Sequence, residues 1–428
     1  MRILIKNGRL FDPASKLDCT GNLYIADGRI VGLAEDLEGF DADREIDATD
    51  RLVSPGLVDL CARLREPGLE HKGTIASESR AAIRSGITSL ACPPDTEPPI
   101  DTPAVAELIQ QRAEAVDVLR IKPVAALTRR LRGENLSEML ALKNAGCAGV
   151  SNARRPVAQT DILRNAMEYA HSCNMTVFVE PEESHLASRG VAHEGAISTR
   201  LGLTPIPVTA ETVAIGTTLL LAEQTGCRVH IGRISSAASV SMIAEARSSG
   251  VRVSADVGIC NLHLTEMDVD GYRSECHLRP PLRTQADREA LCRAIEENHV
   301  DVICSNHEPH DDDAKAAPFG ETEAGASTIE LLLPLTLELV QRGELSLEQA
   351  IISLTSKPAE ILGIDAGRLV KDGAADIAVI DLHGHHNVER SQLASAGKNT
   401  PFQGWELRGL VSHTIYNGKV VFEQGAPA

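Results

Sequence analysis

Aromatic side chains are scarce, 3% of 428 residues with one tryptophan, so the chain lacks the ring platforms on which proteins stack bases or sugars. Basic residues are in deficit too. Lys and Arg number 42 against 60 Asp and Glu, a formal charge of −18 that argues against wholesale binding to nucleic acid or an anionic membrane. The ten cysteines include no C-x-x-C pair, which points to reduced, mostly small core thiols rather than a disulfide framework or a zinc ribbon. No apolar run is long enough to span a bilayer, and MRILIKNGRLFD turns polar after five residues. A soluble, cytoplasmic protein is expected. A G-x-G-x-x-G fingerprint, a phosphate loop and a G-x-S-x-G elbow are all missing, so dinucleotide, nucleotidase and serine hydrolase readings have no motif behind them.

What is present is a 43% hydrophobic, mainly aliphatic chain long enough for one large and one smaller domain. Both ends read as β. ILIKNGRLF, NLYIADGRIVGL and, near the other end, HTIYNGKVVFEQG alternate apolar with polar residues, and Asn7-Gly8, Asp27-Gly28 and Asn417-Gly418 supply hairpin turn chemistry. Residues 1–54 and 366–428 are therefore expected to form one composite small β-sandwich domain. Between them, eight short runs read as strands: Leu57–Leu60, Thr88–Ala91, Leu119–Val124, Ala148–Ser151, Thr176–Val179, Arg228–Ile231, Val251–Ala255 and Asp301–Cys304. Helical stretches such as DILRNAMEYAHSC and AETVAIGTTLLLAEQTG follow most of them, several closed by glycine. This alternation predicts a (β/α)8 barrel over residues 55–365, with a doubly wound sheet as the alternative.

The first barrel strand leads into Val58-Asp59-Leu60-Cys61-Ala62-Arg63-Leu64-Arg65. Alternate residues of a strand point the same way, so a D-x-H-x-H strand aims two imidazoles at one metal. Here Cys61 and Arg63 hold those two places. A guanidinium stays protonated and has no lone pair to give, so Arg63 cannot ligate.

The segments LREPGLEHKGTI, AAIRSGITS, PPDTEPPIDTP, PPLRTQADREAL, NHEPH, KAAPFGETEAG and KNTPFQGWELRG, in this order, resemble the class I dihydroorotases of the amidohydrolase superfamily. The resemblance covers nearly the whole chain and implies the amidohydrolase type of barrel. It also implies where metal ligands would stand, and each such position differs. The family's H-x-H is Cys61 and Arg63; its S-D-D-G is Ser151-Asn152-Ala153-Arg154; its H-x-E-D begins at Glu180; its H-x-S begins at Arg233; and the aspartate that is ligand and base is Asn306. Arg65 and His310 match family contacts to substrate, whereas Asp95 and Arg279 replace asparagines, and Asp95 would repel a substrate carboxylate.

Strand ends of a barrel converge, and an unpaired buried arginine costs several kcal/mol, so Arg63 and Arg233 are expected to pair with Glu180 and with Asp95 in the volume that metals would fill. Cys61 reads as a core thiol. His230, His263, His277 and His307 read as hydrogen-bonded core residues, and Glu308 with Asp311-Asp312-Asp313 as a solvated acidic loop. No metal, cofactor or catalytic residue is expected. The resemblance implies an inactive dihydroorotase-like chain that binds the catalytic chains of a bacterial aspartate transcarbamoylase, six of each, and supports the holoenzyme in pyrimidine biosynthesis. The alternatives are an amidohydrolase acting on a cyclic amide with a rebuilt or metal-independent site, and a sensor that keeps Arg65 and His310 for an orotate-like anion.

Overall fold

The computed structural model describes residues 1–426. Strands from both chain ends are hydrogen-bonded into one eight-stranded sheet: Ile377–Asn387 from the C-terminal part pairs antiparallel with Leu52–Pro55, which lies parallel beside Arg2–Asp12. The sheet encloses its own apolar core, in which Ile3, Ile5, Leu23 and Ile25 meet Ile377, Val379 and Ile415. Alternation explains this, since every second residue of these strands faces inward. Two of the three expected turns are hairpins, with positive φ at Asp27 and Gly28 and at Asn417 and Gly418. Asn7-Gly8 is not one. It lies inside the unbroken strand Arg2–Asp12, where Asn7 has φ 60° and the register against Leu17–Ala26 shifts between Ile5 and Gly8. A Cβ on Gly8 would come within 2.5 Å of the Val53 side chain, so the dipeptide makes a bulge that admits the neighbouring strand.

Eight parallel strands form the barrel: Leu57–Asp59, Ile87–Cys92, Arg120–Pro123, Gly149–Ser151, Thr176–Val179, Val229–Ile231, Val253–Gly258 and Val302–Cys304. Each overlaps one of the runs read from sequence, the seventh least, Val253–Gly258 against the expected Val251–Ala255. The third strand passes from one neighbour to the next within a few residues, because Val124 N donates to Cys92 O at 2.9 Å while Ala125 pairs with Val150. Closure between the first and last strands comes just past their ends, where Arg63 N donates to His307 O at 3.0 Å and His307 N to Cys61 O at 3.2 Å. The strand run is apolar on both faces because barrel interior and helix layer both cover it. Helices start on side-chain caps, such as Thr74 accepting from Ser77 N before Ile75–Arg84 and Thr284 accepting from Asp287 N before Gln285–Glu296. No helix of the described residues is long and apolar enough to cross a membrane.

Candidate functional site

The C-terminal ends of the barrel strands meet at one pit, the place where such barrels carry their chemistry. Asp59 fixes the first strand there: its buried carboxylate accepts from Ser305 N at 2.9 Å and from Cys61 N at 3.3 Å, locking the first and eighth strands in register. With that register set, the two-residue period carries Cys61 and Arg63 to the pit.

Arg63 is only 3% exposed, and three carboxylates surround it. Its Nε donates to Asp95 at 2.8 Å and its Nη2 to Glu180 at 3.2 Å, with a Glu308 oxygen 3.9 Å from Nε. Arg233 reaches the same Glu180 at 2.9 Å and Asp256 at 3.6 Å. The pairings expected for Arg63 and Arg233 with Glu180 and Asp95 are therefore those of the structure, with Asp95 bound by Arg63 alone. Arg154 adds a third guanidinium on Glu180, at 3.4 Å, and lies 2.7 Å from Glu308, which Arg65 also approaches at 3.3 Å. Arg63, Arg65, Arg154 and Arg233 thus face Asp95, Glu180, Asp256 and Glu308. Four positive charges meet four negative ones.

Glu308 corrects the sequence reading. It is not part of a solvated loop but is 5% exposed, and only Asp311 to Asp313 behind it face solvent. The reason is its position two residues past Asn306, on a chain that still runs beside the first strand through His307 and then turns into the pit. Burial opposes ionisation of Glu308, yet the guanidiniums of Arg154, Arg63 and Arg65 outweigh it and hold the carboxyl far below its ordinary range. Asp256 shows the same contest: burial pushes up, while Arg233 and the hydrogen bond from His230 pull the carboxyl below its usual value. For Asp95, burial is outweighed by Arg63. Sequence reasoning missed Asp256 entirely, although an aspartate inside the apolar run VSADVG has to be buried and so must find a cation or donors.

Backbone geometry at the rim is unusual. Arg65, Ala153, Arg233 and Asn306, one past each of four strands, all have φ between 47° and 64°. Non-glycine residues pay about 1 kcal/mol or more each for that conformation, so neighbouring contacts must hold it. Asn152 supplies some of them: its amide donates to Leu131 O at 3.3 Å and Arg155 O at 2.5 Å, and its oxygen accepts from Thr128 Oγ1 at 2.7 Å. A carboxylate could not make the two donations. Asn306 donates to Arg279 O at 3.1 Å and lies 3.8 Å from the Cys61 sulfur.

The family-like substrate contacts are engaged internally. Arg65 Nε donates to Pro309 O at 2.9 Å, and its Nη2 is 3.1 Å from His310 Nε2. His310 is depressed to about 4, chiefly by burial, so it is neutral at pH 7. Cys61 is fully buried, and burial pushes its thiol up to about 12 against the pull of Arg233 and Arg63. That is a core thiol, not an activated nucleophile. The other histidines also have structural partners: His230 with Ser254 and Asp256, both at 2.8 Å, His263 with Leu335 O at 3.0 Å, His277 with Thr322 at 2.8 Å and His307 with Glu78 at 2.8 Å.

These residues do not fit a hydrolytic metal centre. Among the described residues no three His, Cys, Asp or Glu side chains cluster as an ion would need. Asp95, Glu180 and Glu308 already face guanidiniums, Asp256 is held by the His230 ring and the Arg233 backbone N–H, and Arg63 Nη1 stands 3.8 Å from the thiol that a metal would require as thiolate.

Two family profiles match the chain, dihydro-orotase-like over residues 50–239 and amidohydrolase over residues 322–422. It is 45% identical over 423 residues to a dihydroorotase-like protein of Pseudomonas aeruginosa, covering 99% of this chain and all of that one. It is 39% identical over 425 residues to a dihydroorotase of Geobacter sp. strain M21, again covering 99% and 100%. In structure it resembles the L-hydantoinase (dihydropyrimidinase) of Arthrobacter aurescens, with a TM-score of 0.90 at 24% identity over 100% of this chain and 97% of that one. At that identity the likeness concerns the fold.

Proposed function

We infer the function from one premise, that the chain belongs to the dihydroorotase-like family of amidohydrolases: within that family it is a noncatalytic member that acts by binding. The observation that carries this reading is Arg63, a permanent cation held by Asp95 at 2.8 Å and Glu180 at 3.2 Å where a metal-ligating imidazole would stand. Without a metal there is no bound hydroxide to attack an amide, and Asn306 cannot shuttle a proton as a carboxylate does. What remains is a rigid barrel.

Its partner, on the resemblance set out above, is the catalytic chain of aspartate transcarbamoylase, in an assembly of six and six that holds the transcarbamoylase active for pyrimidine biosynthesis in the cytoplasm. Co-expression of the two chains is the test. Co-purification in one large particle, with transcarbamoylase activity dependent on this chain and no dihydroorotase activity from it, supports the reading. Separate migration at micromolar concentration overturns it.

A second reading is favoured by the relatives that bear the name dihydroorotase at 38–39% identity: an amidohydrolase acting on a cyclic amide through a rebuilt or metal-independent site. The raised thiol of Cys61 opposes it. Stoichiometric zinc, with cyclic-amide hydrolysis abolished by Cys61→Ala, would establish this reading in place of the first.

A further inference from the structure

Two arginine-rich runs, TRRLRGEN after the third barrel strand and NARRPV after the fourth, bring five guanidiniums to one side of the rim in a chain whose formal charge is −18. Two of the five are taken: Arg129 pairs with Glu138 at 3.0 Å, and Arg154 with Glu180 and Glu308 in the pit. Arg130, Arg132 and Arg155 are not. All three are exposed, and among the described residues none has an ion-pair partner or a side-chain hydrogen bond. They line one cleft of about 740 Å³ beside the pit, walled by the loops that follow the second, third and fourth strands.

The turn that carries two of these arginines is held in a costly shape. Arg130 and Leu131 both have φ 56°, a conformation that costs a non-glycine residue about 1 kcal/mol or more. Contacts from three sides impose it: Asp101 accepts from Arg130 N at 2.8 Å, Thr128 Oγ1 from Gly133 N at 2.9 Å, and Leu131 O accepts from Asn152 at 3.3 Å. Leu131 is thereby buried, while Arg130 and Arg132 on either side stay exposed at the cleft. Guanidiniums fixed in advance lose less freedom when they bind.

Three carboxylates also line the cleft, and two are committed. Asp95 is bound by Arg63 at 2.8 Å, and Asp101 holds the Arg130 backbone. Glu97 alone has no ion-pair partner among the described residues. Guanidinium forks take phosphate oxygens in pairs, and three of them around one cleft suit an anion with several charges and many acceptor oxygens. The cleft has the size of a small-molecule site, and no aromatic ring lines it to stack a base. We propose that it binds a small molecule bearing an oligophosphate group, with the phosphates on Arg130, Arg132 and Arg155 and the rest against Leu69, Pro98 and Val105.

The site belongs to this chain alone, so its test is independent of the transcarbamoylase reading. Calorimetry of the purified full-length chain with inorganic tripolyphosphate, at about 50 mM salt, should give one site with Kd below about 100 µM. Arg132→Gln and Arg155→Gln should each weaken binding about tenfold. Neither position has positive φ and both side chains are exposed, so the wild-type circular dichroism should be kept. Glu97→Gln should tighten binding by removing a facing charge. Arg80→Gln, which removes an equally exposed and unpaired arginine outside the cleft, should leave it unchanged. Absence of binding at about 1 mM tripolyphosphate overturns the proposal. So does an unchanged affinity in both cleft variants, an equal loss in Arg80→Gln, or a weaker affinity in Glu97→Gln. An acidic peptide of the same charge that binds as tightly also overturns it, by making the cleft a contact for a protein segment.

Discussion

Replacing Glu180 by glutamine isolates the electrostatic centre of the pit. One carboxylate there receives Arg63 at 3.2 Å, Arg154 at 3.4 Å and Arg233 at 2.9 Å, and it is 11% exposed. At about 3 Å and an effective dielectric near 20, each pair is worth roughly 5 kcal/mol before the cost of dehydrating the charges, which consumes most of that gain. The variant changes the balance from four against four to four against three. The single unmatched buried guanidinium makes the expected loss about 3–5 kcal/mol, even though glutamine keeps the shape and one accepting oxygen. Urea unfolding followed by circular dichroism should give that loss at unchanged slope, and calorimetry a fall in Tm of roughly 3–6 °C. Burial makes the loss insensitive to added salt. A double variant, Glu180→Leu with Arg233→Met, restores neutrality with apolar groups of similar volume and should recover much of the stability. If Glu180→Gln costs less than about 1 kcal/mol, or if salt erases the loss, the cluster is a solvated set of charges and the reasoning fails.

Three further perturbations read other parts of the same structure. Asn152→Asp removes the two amide donations to Leu131 O and Arg155 O and faces a carboxylate to both carbonyls; it should cost about 2–4 kcal/mol in urea unfolding and leave zinc content unchanged. Nine of the ten cysteines are buried, only Cys19 being partly open, so a thiol reagent should titrate at most one sulfur in the native chain and all ten after unfolding. Burial depresses His193 and His277 to about 4 and His263 to about 3. Their folded values lie below the unfolded one near 6.5, so their contribution is complete above that pH and is lost as pH falls toward 4. Each then contributes at most about 1.4 kcal/mol per pH unit to the slope, and His263→Gln should flatten the slope of unfolding free energy against pH between 4.5 and 6 by about that much.

The barrel was legible because its strands are short β-branched runs between amphipathic helices, a pattern that burial on both faces imposes directly on composition. The pit was legible in part. Arg63 and Arg233 stood out because a permanent cation at a converging strand end needs a partner, and the resemblance told which positions converge. Arg154, Asp256 and Glu308 did not stand out as partners, since nothing local in NARR, SADV or NHEPH reveals which way a side chain turns after its strand ends. Glu308 in particular was masked by the run of three aspartates close behind it, of which Asp312 and Asp313 are exposed. Asn7-Gly8 misled for a related reason: the dipeptide offers positive φ, but whether that makes a turn or a bulge depends on Val53, a residue of a distant strand.

The four guanidiniums do more than fill space. A metal site needs lone pairs that are free and a potential that is negative, and the pit supplies neither. Burial would ordinarily drive its carboxyls toward the neutral form, but the arginines hold Asp95, Asp256 and Glu308 ionised. A dication entering would have to displace arginines that cannot shed their charge, leaving them buried and unpaired at several kcal/mol each. A histidine placed at position 61 or 63 alone therefore supplies one lone pair and leaves the remaining guanidiniums in place. The arrangement stabilises the strand ends while excluding the ion, and it does so with side chains that no change of pH in the physiological range can neutralise.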